Sequence, residues 1–169
     1  TNLEIRSKYK TCHRQYSLGV PFTERLFQLA APGGFTGQIT ADSFMKREFG
    51  KKLVEEFFST VDLTHVIHTS GAYIPGHGTP TVILLGRKRT PVLPVVRAVL
   101  GIRGEPSTPA DPAKGLVWTA ILEQVDQPGS QSLYMSSLDM EREKFHSHPW
   151  SIGGGGAAEL KTKLDNTLT

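Results

Sequence analysis

Cysteine is nearly missing from this chain of 169 residues: Cys12 stands alone. One thiol excludes an internal disulfide framework, and it fits a reducing compartment and a cytoplasmic setting. Long apolar runs are missing too. None approaches the roughly 20 residues needed to span a bilayer, so no membrane partner is expected. No secretory leader is visible at the start. Hydrophobic residues make up 38% and aromatics 8%, while Gly and Pro number 17 and 11. A core is possible, but with that much Gly and Pro a good share of the chain must be loop. Charge of one sign is also scarce, since 19 Lys and Arg face 16 Asp and Glu for a formal net charge of +3. Such an excess permits an acidic partner such as DNA without requiring one.

The missing motifs are as informative. No GxSxG elbow and no Ser-His-Asp order appears. The four glycines from Gly153 to Gly156 lack the Lys-Ser/Thr of a P-loop and the GxGxxG spacing after a strand. They read better as a flexible hinge before a helix, Ala157 to about Leu164, than as a phosphate cradle. His146 and His148, two apart, do not share a helix face, and with no third ligand in sight no metal site is expected. Cys12 reads as a buried small side chain rather than a nucleophile. Glu55 and Glu56 sit on a helix with its own basic face and read as solvated surface, not an acid/base pair. No catalytic residue is assigned.

Residues 18 to 89 are where pattern appears. Phe22, Leu26, Leu29 and Ala30 follow a 3.6 period and predict a helix over 20–31, with Pro21 in its first turn and Pro32-Gly33-Gly34 as its stop. A short strand follows at 35–40. Asp42 and Ser43 are N-cap candidates for a helix over 43–59 with an apolar stripe of Met45, Phe49, Leu53, Val54, Phe57 and Phe58. Residues 63–69 and 79–86 read as strands. The link between these two is too short for a crossover helix, so they should run antiparallel. The sum is an α/β layered sheet.

Beyond residue 90 the signals weaken, and five prolines punctuate residues 91–112. Val95 to Ile102 and Leu133 to Leu138 read as strands. Asp111-Pro112 opens a helix through about Val125, and residues 141–150 form a short helix ending in a turn.

Two stretches invite a functional reading. Residues 1–17 mix Arg6, Lys8, Lys10 and Arg14 with Tyr9 and Tyr16. They are either a solvated face or a strip beside a phosphate backbone, which needs cations plus stacking groups. The loop from Gly71 to Gly78 joins two strands at one end of the sheet and holds Tyr73 and His77 between glycines. Loops at strand ends carry function in α/β folds, though Tyr73 could equally close the core.

The succession of helix, PGG (32–34), strand through Ile39-Thr40, Asp42-Ser43-Phe44, strand, loop and TPTVIL (79–84) resembles the back half of an adenine-specific DNA N6-methyltransferase. The strings GAYIPGHGTPTVILLGRKR (71–89), IRGEPSTPADPAKGLVW (102–118) and HPWSIGGGGAAEL (148–160) are similar, more narrowly, to the methyltransferases of BREX phage-defence systems. The resemblance implies the later half of a Rossmann-like class I methyltransferase sheet, ordered helix-strand-helix-strand-strand with the last strand antiparallel. Residues 1–90 would be the C-terminal half of the catalytic domain. Residues 91–169 would be an α+β extension leading toward target recognition.

The same resemblance implies S-adenosylmethionine as cofactor and DNA as substrate, in restriction-modification or phage defence. It places Tyr73 against a flipped adenine, with His77 touching the base or a phosphate and Lys10 and Arg14 near the DNA backbone. The family's acidic Gly-rich cofactor motif and its Asn-Pro-Pro-Tyr/Phe motif do not occur in the sequence. The chain is therefore expected to be inactive alone, and to partner with the remainder of its own polypeptide and with other phage-defence proteins. The alternative is a non-catalytic nucleic-acid-binding or interaction module on the same α/β frame.

Overall fold

A computed structural model describes residues 1–155. The helix expected over 157–164 lies outside the described residues. Among the described residues three α-helices, α1 (Asn2–Lys8), α2 (Gly19–Leu29) and α3 (Leu116–Gln124), accompany five strands: β1 (Phe35–Ala41), β2 (Asp62–His68), β3 (Thr81–Arg87), β4 (Val95–Gly101) and β5 (Met135–Glu141). The strands form one sheet in the order β1-β3-β2-β4-β5. β3 runs antiparallel to both β1 and β2, as the short link demanded. β2 pairs parallel with β4, and β4 antiparallel with β5. The α/β class, the mixed sheet and the sense of β3 are those read from the sequence, and they are consistent with part of a methyltransferase-like fold.

Residue 90 falls inside this sheet, because β2 before it is hydrogen-bonded to β4 after it. The larger core also draws on both sides of that position. Val20, Phe27, Leu53, Val54, Phe58 and Val66 pack there with Val96, Leu100, Phe145 and Trp150. The second core lies on the opposite face, where α3 lays Val117, Ala120 and Ile121 over Ile67, Val99 and Met135.

α2 packs differently from its apolar period. Phe22 and Leu29 are 58% and 64% exposed, and the buried residues are Val20, Pro21, Thr23, Glu24 and Phe27. The buried stripe keeps helical spacing at 20, 23, 24 and 27, but two of its members are polar. Each is satisfied. The Thr23 hydroxyl lies 2.7 Å from Gln38 Oε1 on β1, and Glu24 Oε2 accepts from both the amide and the hydroxyl of Thr11.

The helix expected over 43–59 is not one helix. Two 3₁₀ turns, Asp42–Met45 and Glu48–Gly50, lead into a wide turn over Leu53–Phe57, in which the Phe58 amide reaches the Leu53 carbonyl five residues back. The cause is tertiary. The Phe44 carbonyl accepts from His148 Nε2 at 3.1 Å and the Met45 carbonyl from the Trp150 amide at 2.8 Å. A continuous helix would have used both carbonyls internally. Gly50 folds directly onto Phe44, where an added Cβ would lie 1.8 Å from that carbonyl oxygen.

The remaining elements shift modestly. α3 starts at Leu116, after a separate turn over Pro112–Lys114 that Asp111 caps. β5 begins two residues later than expected and runs to Glu141. Residues 142–145 make only a single 3₁₀ turn, where a short helix over 141–150 was expected. Among the described residues no helix is long and apolar enough to cross a membrane.

Candidate functional site

The parallel strands β1, β2 and β4 all end on one side of the sheet, at Ala41, His68 and Gly101. That side of an open α/β sheet is where ligands bind. The connection from β2 to β3 stands there. Its base is closed by the Thr69 amide on the Thr81 carbonyl at 3.0 Å, and by their two buried hydroxyls 2.7 Å apart. Its tip is a tight turn through Pro75 and Gly76. The His77 amide reaches the Ile74 carbonyl, and Gly76 takes a φ of 69°, which favours glycine at that position.

Tyr73 is half-buried, and among the described residues its ring joins neither apolar core. Its carbonyl accepts a hydrogen bond from Trp118 Nε1 on α3 at 3.0 Å. His77 is exposed and lines a cavity of about 240 Å³ with Ile74, Ile39, Thr40, Ala41 and Thr81. Tyr73 is not among those lining residues.

Beside this loop lies a hydrogen-bonded string that sequence reasoning missed. His68 Nε2 meets Asp42 Oδ2 at 2.9 Å, and His68 Nδ1 lies 3.4 Å from the Ser70 hydroxyl. Asp42 was expected to cap a helix; its side chain makes no cap bond and instead ties the end of β1 to the end of β2. The pairing of residues 26 apart has no local signature.

Lys10 and Arg14 are both exposed. They do not join the loop. Lys10 lines a different cavity, of about 300 Å³, with Thr11, Glu24, Gln28, Lys52 and Glu56. Cys12, half-buried between them, has its thiol pKa raised chiefly by burial, which disfavours the reactive thiolate.

The basic cluster 87–89 is engaged within the fold. Arg87 donates to the Gly33 carbonyl and stacks over Phe35, and Lys88 caps the α2 C-terminus through the Gln28 and Ala30 carbonyls. Arg89 pairs with Asp62. Among the described residues no group of three or more His, Cys, Asp or Glu is arranged to hold a metal ion.

Residues 1–74 match the family described as Eco57I restriction-modification methylase. The chain is 52% identical, over 95% of its length, to the adenine-specific methyltransferase PglX of Streptomyces coelicolor, of which it spans 14%. It is 26% identical over 96% of its length to the type II methyltransferase M.XhoI of Xanthomonas vasicola, of which it spans 29%. Half of it is 28% identical to the type II methyltransferase M.PaeR7I of Pseudomonas aeruginosa. Over almost all of its length, then, the chain is similar to a short segment of an adenine-specific methyltransferase, in agreement with the strings from which that family was read.

Proposed function

We propose that this chain supplies the target-base side of an adenine-specific DNA N6-methyltransferase that uses S-adenosylmethionine in host-protective modification and phage defence. One observation carries the reading. An aromatic side chain, Tyr73, stands on a tied-down loop at the end of the sheet where open α/β folds bind ligands, and among the described residues it takes no part in either core. The adenine amine cannot be reached inside a duplex, so the base must be flipped out and read by stacking and edge contacts. Tyr73 provides the stacking face. His77, on the rim of the neighbouring cavity, meets the base edge or an adjacent phosphate. Lys10 and Arg14 contact the DNA backbone farther along.

The described residues do not fit S-adenosylmethionine. A ribose diol is ordinarily bound by a carboxylate. The cavity at this end presents Thr40, Thr81 and His77 but no carboxylate, and Asp42 is engaged by His68. In this proposal the cofactor is bound by the rest of a longer polypeptide. That remainder also covers β1, an edge strand on which Phe35 and Ile39 are 80% and 52% exposed. DNA and other phage-defence proteins in the cytoplasm complete the set of partners, and the 169-residue chain alone is inactive.

The test is Tyr73→Ala and Tyr73→Phe in the full-length methyltransferase that carries this chain. Turnover on duplex DNA, cofactor affinity and thermal melting are measured on the same preparations. Tyr73→Ala should lower turnover by about tenfold or more with cofactor affinity unchanged, since base–aromatic stacking contributes about 1–3 kcal/mol. Tyr73→Phe should be near neutral. Unchanged turnover per folded molecule in Tyr73→Ala sinks the reading.

A further inference from the structure

The loop that carries Tyr73 is held on its open side by residues 30 to 45 positions downstream. The Glu105 amide donates to the Gly71 carbonyl at 2.9 Å, and Gly71 lies so close to Gly104 that an added Cβ would sit 3.0 Å from the Gly104 Cα. The Glu105 carboxylate does a second task. Its two oxygens accept the first amides of α3, Leu116 at 2.9 Å and Val117 at 3.0 Å. The residue at the helix N-cap is Gly115, which has no side chain to cap with, so Glu105 is the anion that completes this N-terminus. α3 in turn presents Trp118, whose indole N–H reaches the Tyr73 carbonyl at 3.0 Å. Glu105 thus fixes both Gly71 and the helix that carries Trp118.

We propose that Glu105 and Trp118 are positioning residues for Tyr73: together they pin the backbone on both sides of Ala72 and so set the direction in which the Tyr73 ring projects. The inference rests on the stacking role proposed for Tyr73 and adds to it a specific duty for the segment after residue 100. The backbone from Gly71 to the Tyr73 carbonyl is held from one side, because Val117 and Ile121 anchor α3 in the second core and Trp118 packs against the same core. Misplacement of a reacting or stacking group by even about 1 Å is costly to turnover, so a brace of this kind acts on rate more than on fold.

The experiment is a double-mutant cycle in the full-length methyltransferase. Trp118→Phe keeps an aromatic ring in the core and removes only the N–H donor. Glu105→Gln keeps the length and the backbone amide but removes the charge at α3. Each is made alone and in the Tyr73→Ala background. Measurements are kcat, KM for duplex DNA, KM for S-adenosylmethionine, thermal melting, and the fluorescence of 2-aminopurine placed at the target adenine, which reports flipping.

Trp118→Phe is expected to lower kcat and the flipping signal by about three- to tenfold, the range for losing one hydrogen bond. KM for the cofactor should hold, and kcat per folded molecule should fall by more than any change in melting accounts for. In the Tyr73→Ala background the same change should have no further effect, because the group being positioned is gone. Glu105→Gln should show the same coupling. If Tyr73→Ala lowers turnover but Trp118→Phe and Glu105→Gln are additive with it, or act only through melting, the brace is overturned and the stacking role stands. No effect of Tyr73→Ala itself overturns both.

Discussion

Asp62 and Arg142, 80 residues apart in the chain, meet at 3.1 Å with side chains only 3% and 7% exposed. The same guanidinium donates to the Leu63, Leu93 and Val95 carbonyls, and Arg89 takes the other Asp62 oxygen at 2.8 Å. Every nitrogen of the Arg142 guanidinium thereby serves the starts of β2 and β4 or the link that leads into β4. Breaking a buried pair from one side costs up to about 3–5 kcal/mol; Arg142→Met leaves Asp62 its Arg89 partner but takes the donor from three carbonyls. Arg142→Met should therefore lower the urea midpoint of unfolding by the equivalent of that range, and Arg89→Ala, on a side chain 36% exposed, by distinctly less. Equal midpoints for Arg142→Met and the parent chain would show that the network is not what locks residue 142 to β2.

Gly50 offers a sharper contrast with another glycine. An added Cβ at Gly50 meets the Phe44 carbonyl carbon at 2.6 Å and its oxygen at 1.8 Å, while at Gly78 nothing lies within 4 Å. Gly50→Ala should destabilise by at least about 1–3 kcal/mol, since the backbone it strikes cannot swing aside. Gly78→Ala should fall within about 0.5 kcal/mol of the parent. Chemical denaturation of the two variants side by side checks this, and a Gly50→Ala protein as stable as Gly78→Ala rules out the close approach.

His65 predicts a pH effect. Burial is the main cause that lowers its pKa from the ordinary 6.5, and Arg97 adds to it, against opposing contributions from Asp126 and Asp139. A histidine with a depressed folded pKa favours folding while neutral, so the unfolded chain binds more protons as acid is added. Its contribution is fully present above pH 6.5 and is lost as pH falls below that value toward the folded pKa. His65→Gln should flatten the decline of stability between about pH 7 and pH 5 relative to the parent chain. Parallel stability–pH curves for the two proteins would contradict it.

The local order of helices and strands was legible in residues 18–89 because period and stop signals are short-range. A 3.6 repeat closed by Pro32-Gly33-Gly34, β-branched runs, and a link too short for a crossover dictate α2, β1, β2 and an antiparallel β3. The family was legible as well, in the strings around 71–89, 102–118 and 148–160, and the similarity to PglX agrees with it.

What tertiary structure alone decided is how distant groups compete for the same backbone and the same core. Trp150, read from sequence as one member of a terminal cluster with two histidines, is fully buried among Phe44, Phe58 and Phe145. Its amide and the His148 ring take the Met45 and Phe44 carbonyls, and that competition breaks the helix the apolar stripe called for. Thr23 and Glu24 displace Phe22 and Leu29 from the interior because Gln38 and Thr11 satisfy them there. The Asp42–His68 pair and the Glu105–Trp118 brace around Tyr73 follow the same logic. Periodicity records which face of an element is apolar; hydrogen bonds between residues tens of positions apart form only once the sheet has brought their strands together, and no local pattern encodes them.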